Sequence, residues 1–117
     1  MLVKKTFLGV STIHGIGVFA DEPIKEGETV WVPGFESIYR SDTLDTLDLR
    51  IQKFLRHHAY YNVEDDCWHL PLDNDRFINH SVTPNIKNGI VLTNIAYGEE
   101  LTEDYREWDK SFETREI

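Results

Sequence analysis

Residues 76–85, RFINHSVTPN, surround one apolar pair with polar and charged side chains. The apolar pair is Phe77 and Ile78, and the polar residues are Arg76, Asn79, His80, Ser81 and Asn85. Asparagine and histidine can both donate and accept hydrogen bonds, and Pro84 fixes the backbone just before the second asparagine. Polar groups at this density predict a binding site or a hydrogen-bonded structural knot. The stretch taken alone leaves both open.

Toward the N-terminus, residues 14–17, HGIG, predict a turn that leads into a strand at Gly17–Ala20. A preceding strand is predicted at Leu2–Lys5. The turn lacks the third glycine and the following helix of a dinucleotide-binding loop. Any ligand contact here would therefore use backbone amides, which bare glycine leaves accessible.

Toward the C-terminus, residues 99–105, EELTEDY, form an acidic run that ends in a tyrosine. An acidic run is normally a solvated face. Tyr105 departs from that pattern, because a buried tyrosine needs a partner for its hydroxyl. It is therefore either a core tyrosine with a satisfied hydroxyl or a candidate active-site residue.

Between these motifs, apolar residues recur at helical spacing and predict one main helix at about residues 42–58. They are Leu44, Leu47, Ile51, Phe54 and Leu55. Ser41 or Asp42 would cap the start of this helix.

Several other segments predict short strands and turns. Residues 60–63 and 67–71 flank an acidic turn and predict a hairpin. Two Ile-x-x-Gly units, at 24–27 and 95–98, predict turns with glycine at positive φ before a strand. Many short strands and one helix indicate an α+β domain that is mostly β.

The length of 117 residues predicts one domain. No apolar run approaches the ~20 residues of a membrane span, and the N-terminal composition predicts no secretory signal. The single Cys67 excludes an intramolecular disulfide and a multi-cysteine zinc cluster, so a reducing, cytoplasmic setting is expected. The net charge of −9 disfavours a nucleic-acid partner and favours a basic one.

Taken in order along the chain, these motifs resemble the SET domain of protein lysine methyltransferases. The resemblance is carried by GIGVFA at 15–20, by RFINHS at 76–81 with Pro84-Asn85, and by GEELT at 98–102 with Asp104-Tyr105. It runs from about residue 3 to 112. Residues 30–31, 33–35, 70–74 and 105–106 look like the compact, stand-alone SET proteins of bacteria and their viruses.

The resemblance implies a SET-domain fold over residues 1–117, with several small curled sheets. The C-terminal chain would thread a loop, as a pseudoknot, and bring the second and third motifs together. The main helix would lie in the family's variable insert, and residues 106–117 would form a short post-SET-like tail. The expected setting is the cytoplasm of a bacterium or of a virus-infected host cell.

The resemblance also implies S-adenosyl-L-methionine as methyl donor and a lysine of a basic protein or peptide as acceptor, with no metal. The residues implied to contact the cofactor are His14, Gly15, Ile16, Gly17, Arg76, Asn79, His80, Tyr105 and Trp108. Tyr105 would be the catalytic tyrosine. Tyr60 and Tyr61 are alternative candidates for a second tyrosine in the substrate channel.

The chain departs from the family pattern in several places. Val82 stands where a cysteine often follows Asn-His-Ser, and the zinc-binding cysteine clusters of many eukaryotic members are absent. The short C-terminal tail leaves Trp108 or Phe112 to close the channel. A homodimer would be another way to complete the site, although no sequence feature indicates one.

Methyl transfer requires a neutral lysine, and the unperturbed pKa of lysine is about 10.4. A carboxylate beside the amine would stabilise its charged form, so the acidic run before Tyr105 is expected outside the channel, where it would attract basic residues flanking the lysine.

Two other functions are weighed. One is a SET-like module that binds cofactor or peptide without turnover. The other is a metal-dependent enzyme using His57, His58, His69 or His80. It is disfavoured because no H-E-x-x-H spacing exists and because adjacent helical positions do not share a face.

Overall fold

The computed structural model describes residues 1–107 and 109. The strands are β1 (Thr6–Val10), β2 (Ile16–Ala20), β3 (Glu36–Arg40), β4 (Tyr60–Asn62), β5 (Cys67–Pro71), β6 (Asn79–His80), β7 (Ile86–Lys87), β8 (Ile90–Val91) and β9 (Thr102–Glu103). The helices are α1 (Ser41–Leu44) and α2 (Leu49–His58), with 3-10 helices at Asn74–Phe77 and Tyr105–Glu107. None of the helices in the described part of the chain is both long and apolar enough to cross a membrane.

The strands form three small sheets. The first is the β1–β2 hairpin, the second has the order β3-β5-β4, and the third has the order β6-β9-β7-β8. The predicted hairpin around the acidic turn is confirmed, because β4 and β5 pair antiparallel with Asn62 opposite Cys67. The fold class predicted from the sequence, mostly β with several small sheets, is confirmed.

The predicted first strand is wrong in position. The strand lies at Thr6–Val10, where it pairs with β2 in a register that places Val10 opposite Ile16. Leu2 forms only an isolated bridge with Trp31. Pairing with β2 determines where the first strand lies, because residues 6–10 are the ones that lie opposite β2 across the turn.

The predicted single helix at 42–58 is interrupted. A short helix ends at Leu44, and the main helix begins at Leu49. Asp48, rather than Ser41 or Asp42, supplies the cap, because its side chain accepts a hydrogen bond from the Arg50 backbone amide at 2.8 Å. An aspartate that satisfies a free amide in this way starts a new helix instead of continuing the old one.

The two Ile-x-x-Gly units meet in the main core. Ile24 and Ile95 exchange two backbone hydrogen bonds of 2.8 Å, and both side chains are buried. Gly27 and Gly98 adopt φ values of 86° and 85°, as predicted for turns that require glycine.

Two hydrophobic clusters form the interior. The main core comprises Val18, Ala20, Ile24, Val30, Ile78, Ile86, Val91, Ile95 and Leu101. The second cluster comprises Leu44, Leu55, Ala59, Trp68 and Leu70, and it attaches α2 to the three-stranded sheet. Ile51 and Phe54 of the predicted apolar stripe remain 48% and 44% exposed, so only part of that stripe is buried.

Strand β9 places the C-terminal motif next to the central motif. It lies between β6 and β7 and pairs with both in parallel, with Asn79 opposite Thr102 and Ile86 opposite Glu103. This insertion of the C-terminal strand agrees with the expected threaded arrangement. It brings Asn79, His80, Asn85 and Tyr105 into the contacts described below.

Candidate functional site

Asn79 joins the three sequence motifs through its side-chain amide. Its Nδ2 atom lies 3.0 Å from the carbonyl oxygen of His14, 3.3 Å from that of Ile16 and 2.9 Å from Oε2 of Glu100. The residue is buried. Its amide protons are therefore used to hold the N-terminal turn against the C-terminal segment, while the side-chain oxygen is not part of this network.

Glu100 occupies the space that Gly17 leaves open. A Cβ atom on Gly17 would lie 2.4 Å from Oε2 of Glu100, a distance that real Cβ atoms do not adopt. The same carboxylate accepts from the Ser11 hydroxyl at 2.8 and 2.9 Å. Gly17 is therefore required for the close approach of this carboxylate, and it does not line the cleft described below.

Asn85 holds the backbone of the same C-terminal segment, next to Glu100. Its Nδ2 donates to the carbonyl of Glu100, and its Oδ1 accepts from the Thr102 amide, both at 2.8 Å. Asparagine mimics a neighbouring strand here by offering one donor and one acceptor. The two asparagines of the opening stretch thus hold the strand that leads to Tyr105.

Tyr105 is held at both its backbone and its hydroxyl. Its amide donates to Nδ1 of His80 at 3.1 Å, and its hydroxyl donates to the backbone carbonyl of Ile78. The Tyr105 and His80 rings lie 5.3 Å apart. The phenol thus donates its proton to a backbone carbonyl, and a phenol oxygen can also accept hydrogen bonds.

Two cavities meet at Tyr105. We call the larger one, of about 410 Å³, the wide cleft. It is lined by backbone and side chains of the N-terminal turn and of the central motif, including His14, Gly15, Ile16, Asn79 and His80. Its volume lies in the range of about 300–1,000 Å³ typical of clefts for small ligands.

The smaller cavity, of about 160 Å³, we call the narrow pocket. Its aromatic lining is Trp31, Tyr60 and Tyr105, and its acidic lining is Asp75, Glu103 and Glu107. The wall shared by the two cavities consists of His57, His58, Arg76 and Tyr105. A pocket of this size suits one side chain rather than a nucleoside.

The two cavities differ in charge. No carboxylate lines the wide cleft among the residues that the structure describes, whereas three line the narrow pocket. Burial raises the pKa of the Asp75 carboxyl to about 6, and the indole of Trp31 donates a hydrogen bond to it at 2.9 Å. Burial also lowers the pKa of the His58 imidazole, and the neighbouring His57 and Arg76 lower it further.

Arg76 has an unusual environment at the shared wall. Its Nε atom is buried and has no hydrogen-bond partner within residues 1–107 and 109. Its guanidinium lies 4.8 Å from the centre of the Phe77 ring. A buried donor without an acceptor is destabilising, so this atom is suited to meet a ligand acceptor.

The two candidate tyrosines have different surroundings. Tyr60 lines the narrow pocket, its hydroxyl donates to Oε2 of Glu36 at 2.8 Å, and burial raises the pKa of its phenol well above the usual value. Tyr61 lines neither cavity. Its hydroxyl donates to Asp66 at 2.6 Å, and its ring packs on Trp68.

The structure brings together most of the residues proposed from the sequence. His14, Gly15, Ile16, Arg76, Asn79, His80 and Tyr105 all line the wide cleft. Gly17 lies behind it, while Trp108 and Phe112 lie outside the described residues. The expectation that the acidic run stays outside the pocket is wrong for Glu103, because the parallel pairing of β9 with β6 directs this residue to the pocket wall.

Sequence reasoning named His57 and His58 only as ligands of the disfavoured metal enzyme, and it gave Trp31 and Asp75 no role in the site, although all four line the narrow pocket. Although adjacent helical positions do not share a face, the ring centres of His57 and His58 lie 4.6 Å apart at the last turn of the helix. Among the described residues, no group of three or more potential metal ligands is clustered. The basic pair at a helix end was the one available signal for this wall.

The SET-domain family matches residues 15–106 of the chain. The match covers most of the chain, and the protein belongs to the SET-domain family. The resemblance predicted from the three motifs is thereby confirmed.

Solved structures with a similar fold include a candidate histone methyltransferase and polycomb complexes. A candidate histone methyltransferase of Plasmodium falciparum has a TM-score of 0.64 and 23% identity, over 87% of this chain and 93% of that chain. A humanized Chaetomium thermophilum Polycomb Repressive Complex 2 bound to an inhibitor has a TM-score of 0.66 and 25% identity, over 90% of this chain and 15% of that one. An autoinhibited ctPRC2 bound to S-adenosylmethionine has a TM-score of 0.72 and 24% identity, over 95% and 16%. The protein thus spans about one sixth of these polycomb chains.

Proposed function

We propose that this protein transfers a methyl group from S-adenosylmethionine to the lysine side chain of a protein substrate. The observation that carries this proposal is that a ligand-sized cleft and a side-chain-sized pocket share a wall at Tyr105. Membership of the SET family supports the same reaction class. A similar fold has been solved with S-adenosylmethionine bound.

The residues of the wide cleft fit this cofactor. Its methionine end carries a carboxylate, and the unpartnered Nε of Arg76 offers a buried cationic donor for such a group. No carboxylate of the described cleft lining would oppose it. The Asn79 side-chain oxygen is an acceptor for an ammonium group, and the imidazoles of His14 and His80 offer flat surfaces for a purine.

When bound, S-adenosylmethionine supplies a methyl group on a positively charged sulfur. The chain must then hold an amine in line with that methyl group, so positioning is its main contribution. Tyr105 does this with its phenol oxygen. Because its proton is donated to Ile78, the oxygen accepts an N–H of the amine and orients the nitrogen lone pair.

The acceptor enters the narrow pocket. Trp31 and Tyr60 provide apolar ring surface for a lysine stem, and the pocket limits water around the amine. The net charge of −9 and the acidic lining favour a lysine with basic neighbours. The substrate is therefore expected to be a basic protein segment.

The same acidic lining supports a second candidate function. Aromatic rings and carboxylates together form a site that holds a cation. A module that binds a lysine or methyl-lysine side chain without turnover would use this arrangement.

Labelled methyl transfer tests the two functions directly. The purified chain is incubated with tritium-labelled S-adenosylmethionine and lysine peptides with basic or acidic flanks; arginine-for-lysine peptides are the control. We expect label on the basic lysine peptides alone. Peptide binding by calorimetry without any label, in the presence of bound cofactor, would favour the binding module. Failure to bind the cofactor at all would overturn the methyl transfer, and failure to bind any lysine peptide would overturn the binding module.

A further inference from the structure

His69 is a buried histidine on the middle strand of the three-stranded sheet, and it lines neither the wide cleft nor the narrow pocket. Its Nδ1 atom lies 3.2 Å from Oε1 of Glu36 on β3, and its Nε2 atom lies 2.7 Å from Oδ2 of Asp65 in the turn before β5. An ionised carboxylate can only accept hydrogen bonds, so both ring nitrogens act as donors. The imidazole therefore bridges two acidic groups.

The same bridge reaches Tyr60 in the wall of the narrow pocket. While Oε1 of Glu36 faces His69, Oε2 accepts the Tyr60 hydroxyl at 2.8 Å. Tyr60 and His69 also lie directly opposite each other in the pairing of β4 with β5, and their rings stack with centres 5.1 Å apart and planes at 15°. Burial raises the pKa of the Tyr60 phenol and the hydrogen bond to Glu36 raises it further, so the phenol keeps the proton that it donates. The Tyr60 ring is thus held at its hydroxyl and across one face.

Glu36 needs a partner of its own if it is to hold Tyr60 in one position. A glutamate side chain has several rotatable bonds and loses entropy when it is fixed. The Glu36 side chain is only 14% exposed, and a buried carboxylate is destabilising unless it is paired and hydrogen-bonded. His69 supplies the donor and, because both of its nitrogens carry protons, the opposite charge. One oxygen of Glu36 is therefore fixed by His69 and the other by Tyr60.

We propose that His69 is a positioning residue for the acceptor site: by bridging two carboxylates it fixes Glu36 and thereby the Tyr60 ring in the wall of the narrow pocket. This inference rests on the proposed methyl transfer, because the narrow pocket is the place assigned to the acceptor lysine. His69 acts on the acceptor only through Tyr60, whose ring forms part of the pocket wall. A fixed wall matters because in-line transfer requires the acceptor to be held in one geometry.

Two substitutions of His69 separate its two hydrogen bonds. Asparagine places its amide nitrogen near the position of Nδ1, so His69→Asn keeps a donor for Glu36 and loses the donor for Asp65. Glutamine places its amide nitrogen near the position of Nε2, so His69→Gln keeps the donor for Asp65 and loses the donor for Glu36. Both variants lose the ring and its charge. A difference between them therefore reports the contact to Glu36.

The measurement is kcat/KM for methyl transfer to a lysine peptide with basic flanks. We expect kcat/KM of His69→Asn to exceed that of His69→Gln about fivefold, the size expected for one lost hydrogen bond. In a Tyr60→Phe background the hydroxyl that Glu36 holds is absent, so this ratio should fall to about one. A histidine with a merely structural role would give the same ratio in both backgrounds. The Kd for S-adenosylmethionine should be the same in all these variants, because Tyr60 and His69 do not line the wide cleft.

The outcomes separate the inference from the function on which it rests. An inactive wild type overturns the proposed function and the inference with it. An active wild type overturns the role of His69 alone if the two variants have equal kcat/KM, if His69→Gln is the better enzyme, or if their ratio is unchanged by Tyr60→Phe.

Two further measurements decide the matter if the His69 variants do not fold. Nitrogen NMR of the wild type should show a proton on each ring nitrogen of His69. Glu36→Gln removes the charge and one of the two acceptor oxygens that His69 and Tyr60 share, so it should lower kcat/KM about fivefold, and only when Tyr60 is present. Both results together support the bridge. An unprotonated ring nitrogen, or a loss that is absent or persists in the Tyr60→Phe background, excludes it.

Discussion

The wide cleft and the narrow pocket share four residues but have opposite charge. Histidines, an arginine and backbone groups line the cleft, whereas Asp75, Glu103 and Glu107 line the pocket. The chain carries a net charge of −9, so a cleft lined without carboxylates is a local exception in an acidic protein. The difference teaches that two neighbouring cavities of one acidic chain can differ in charge, and the proposed reaction would assign the cofactor to one and the acceptor lysine to the other.

The residues of the shared wall separate the cleft from the acidic pocket. Arg76 presents a buried, unpartnered Nε at the boundary, and burial lowers the pKa of the neighbouring His58, which favours its neutral form. Tyr105 lies in the same wall with its proton committed to Ile78. Changes to the cleft, the pocket and the wall should therefore have separable effects.

The largest effect is expected for Tyr105→Phe, which alters the wall common to both cavities. Loss of the phenol oxygen should lower kcat about 10²–10³-fold, as for other removed groups that act on the reacting atoms. The cofactor Kd should stay close to that of the wild type, because the backbone contact to His80 remains. Tritium transfer and calorimetry measure the two quantities.

Tyr97→Phe is the control for that change, since Tyr97 is 65% exposed and lies in neither cavity. Equal transfer rates for the wild type and Tyr105→Phe would remove Tyr105 from the mechanism.

A smaller effect, confined to the cleft, is expected for Asn79→Ala. This change removes the amide that holds His14, Ile16 and Glu100 together. We expect the cofactor Kd to rise about tenfold or more, equivalent to at least about 1.4 kcal/mol. The free energy of unfolding should fall by about 1–3 kcal/mol, because buried acceptors lose their partner.

Asn94→Ala is the control for this change. It removes an exposed side-chain amide whose oxygen accepts a hydrogen bond from the backbone amide of Glu26, and it should leave the cofactor Kd unchanged. The peptide KM should also be unaffected in Asn79→Ala if the two cavities act separately. A parallel loss of peptide binding would show that the cleft and the pocket are one cooperative unit.

A still smaller effect, confined to the pocket, is expected from the neighbouring tyrosines. Tyr60→Phe removes a hydroxyl in the pocket wall and should lower kcat/KM for peptide about fivefold, the equivalent of one hydrogen bond of about 1 kcal/mol. Tyr61→Phe removes a hydroxyl bonded to Asp66 outside both cavities and should leave kcat/KM unchanged. A larger loss of kcat/KM for Tyr61→Phe than for Tyr60→Phe would indicate that Tyr61, and not Tyr60, acts on the peptide.

The last effect concerns stability and its pH dependence rather than catalysis. The pKa of Asp75 is about 6 in the folded protein, against a usual value of 3.8. The folded state therefore binds this proton more tightly, and the contribution of Asp75 to stability declines as pH rises from about 4 to 6. Thermal melting should show Asp75→Asn gaining on the wild type between pH 4 and pH 7.5. A constant difference across that window would contradict the raised pKa.

Much of the site was implied by the family resemblance that the three motifs carry. Asn79 and Asn85 lie in a stretch rich in polar groups, and Tyr105 ends an acidic run; such groups must find partners when buried. The hydrogen-bond partners of each motif lie in another of the three motifs. The single predicted helix failed because Asp48 satisfied a backbone amide locally and restarted the helix.

The choice between Tyr60 and Tyr61 could not be made from the sequence. Successive side chains on a strand point to opposite faces, and both tyrosines lie on β4. Only the pairing with β5 and the position of α2 decide which face borders the pocket. The same reasoning applies to His57 and His58, whose shared position depends on where the helix ends.

By itself, the sequence determined the family through its three motifs, whose polar residues mostly need specific partners when buried. The tertiary structure decided the charge of each cavity. The position of Asp75 and Glu103 in the pocket wall follows from the packing of the 3-10 helix and from the register of β9. Desolvation, which gives Asp75 its raised pKa, exists only after distant segments have excluded water from the same space.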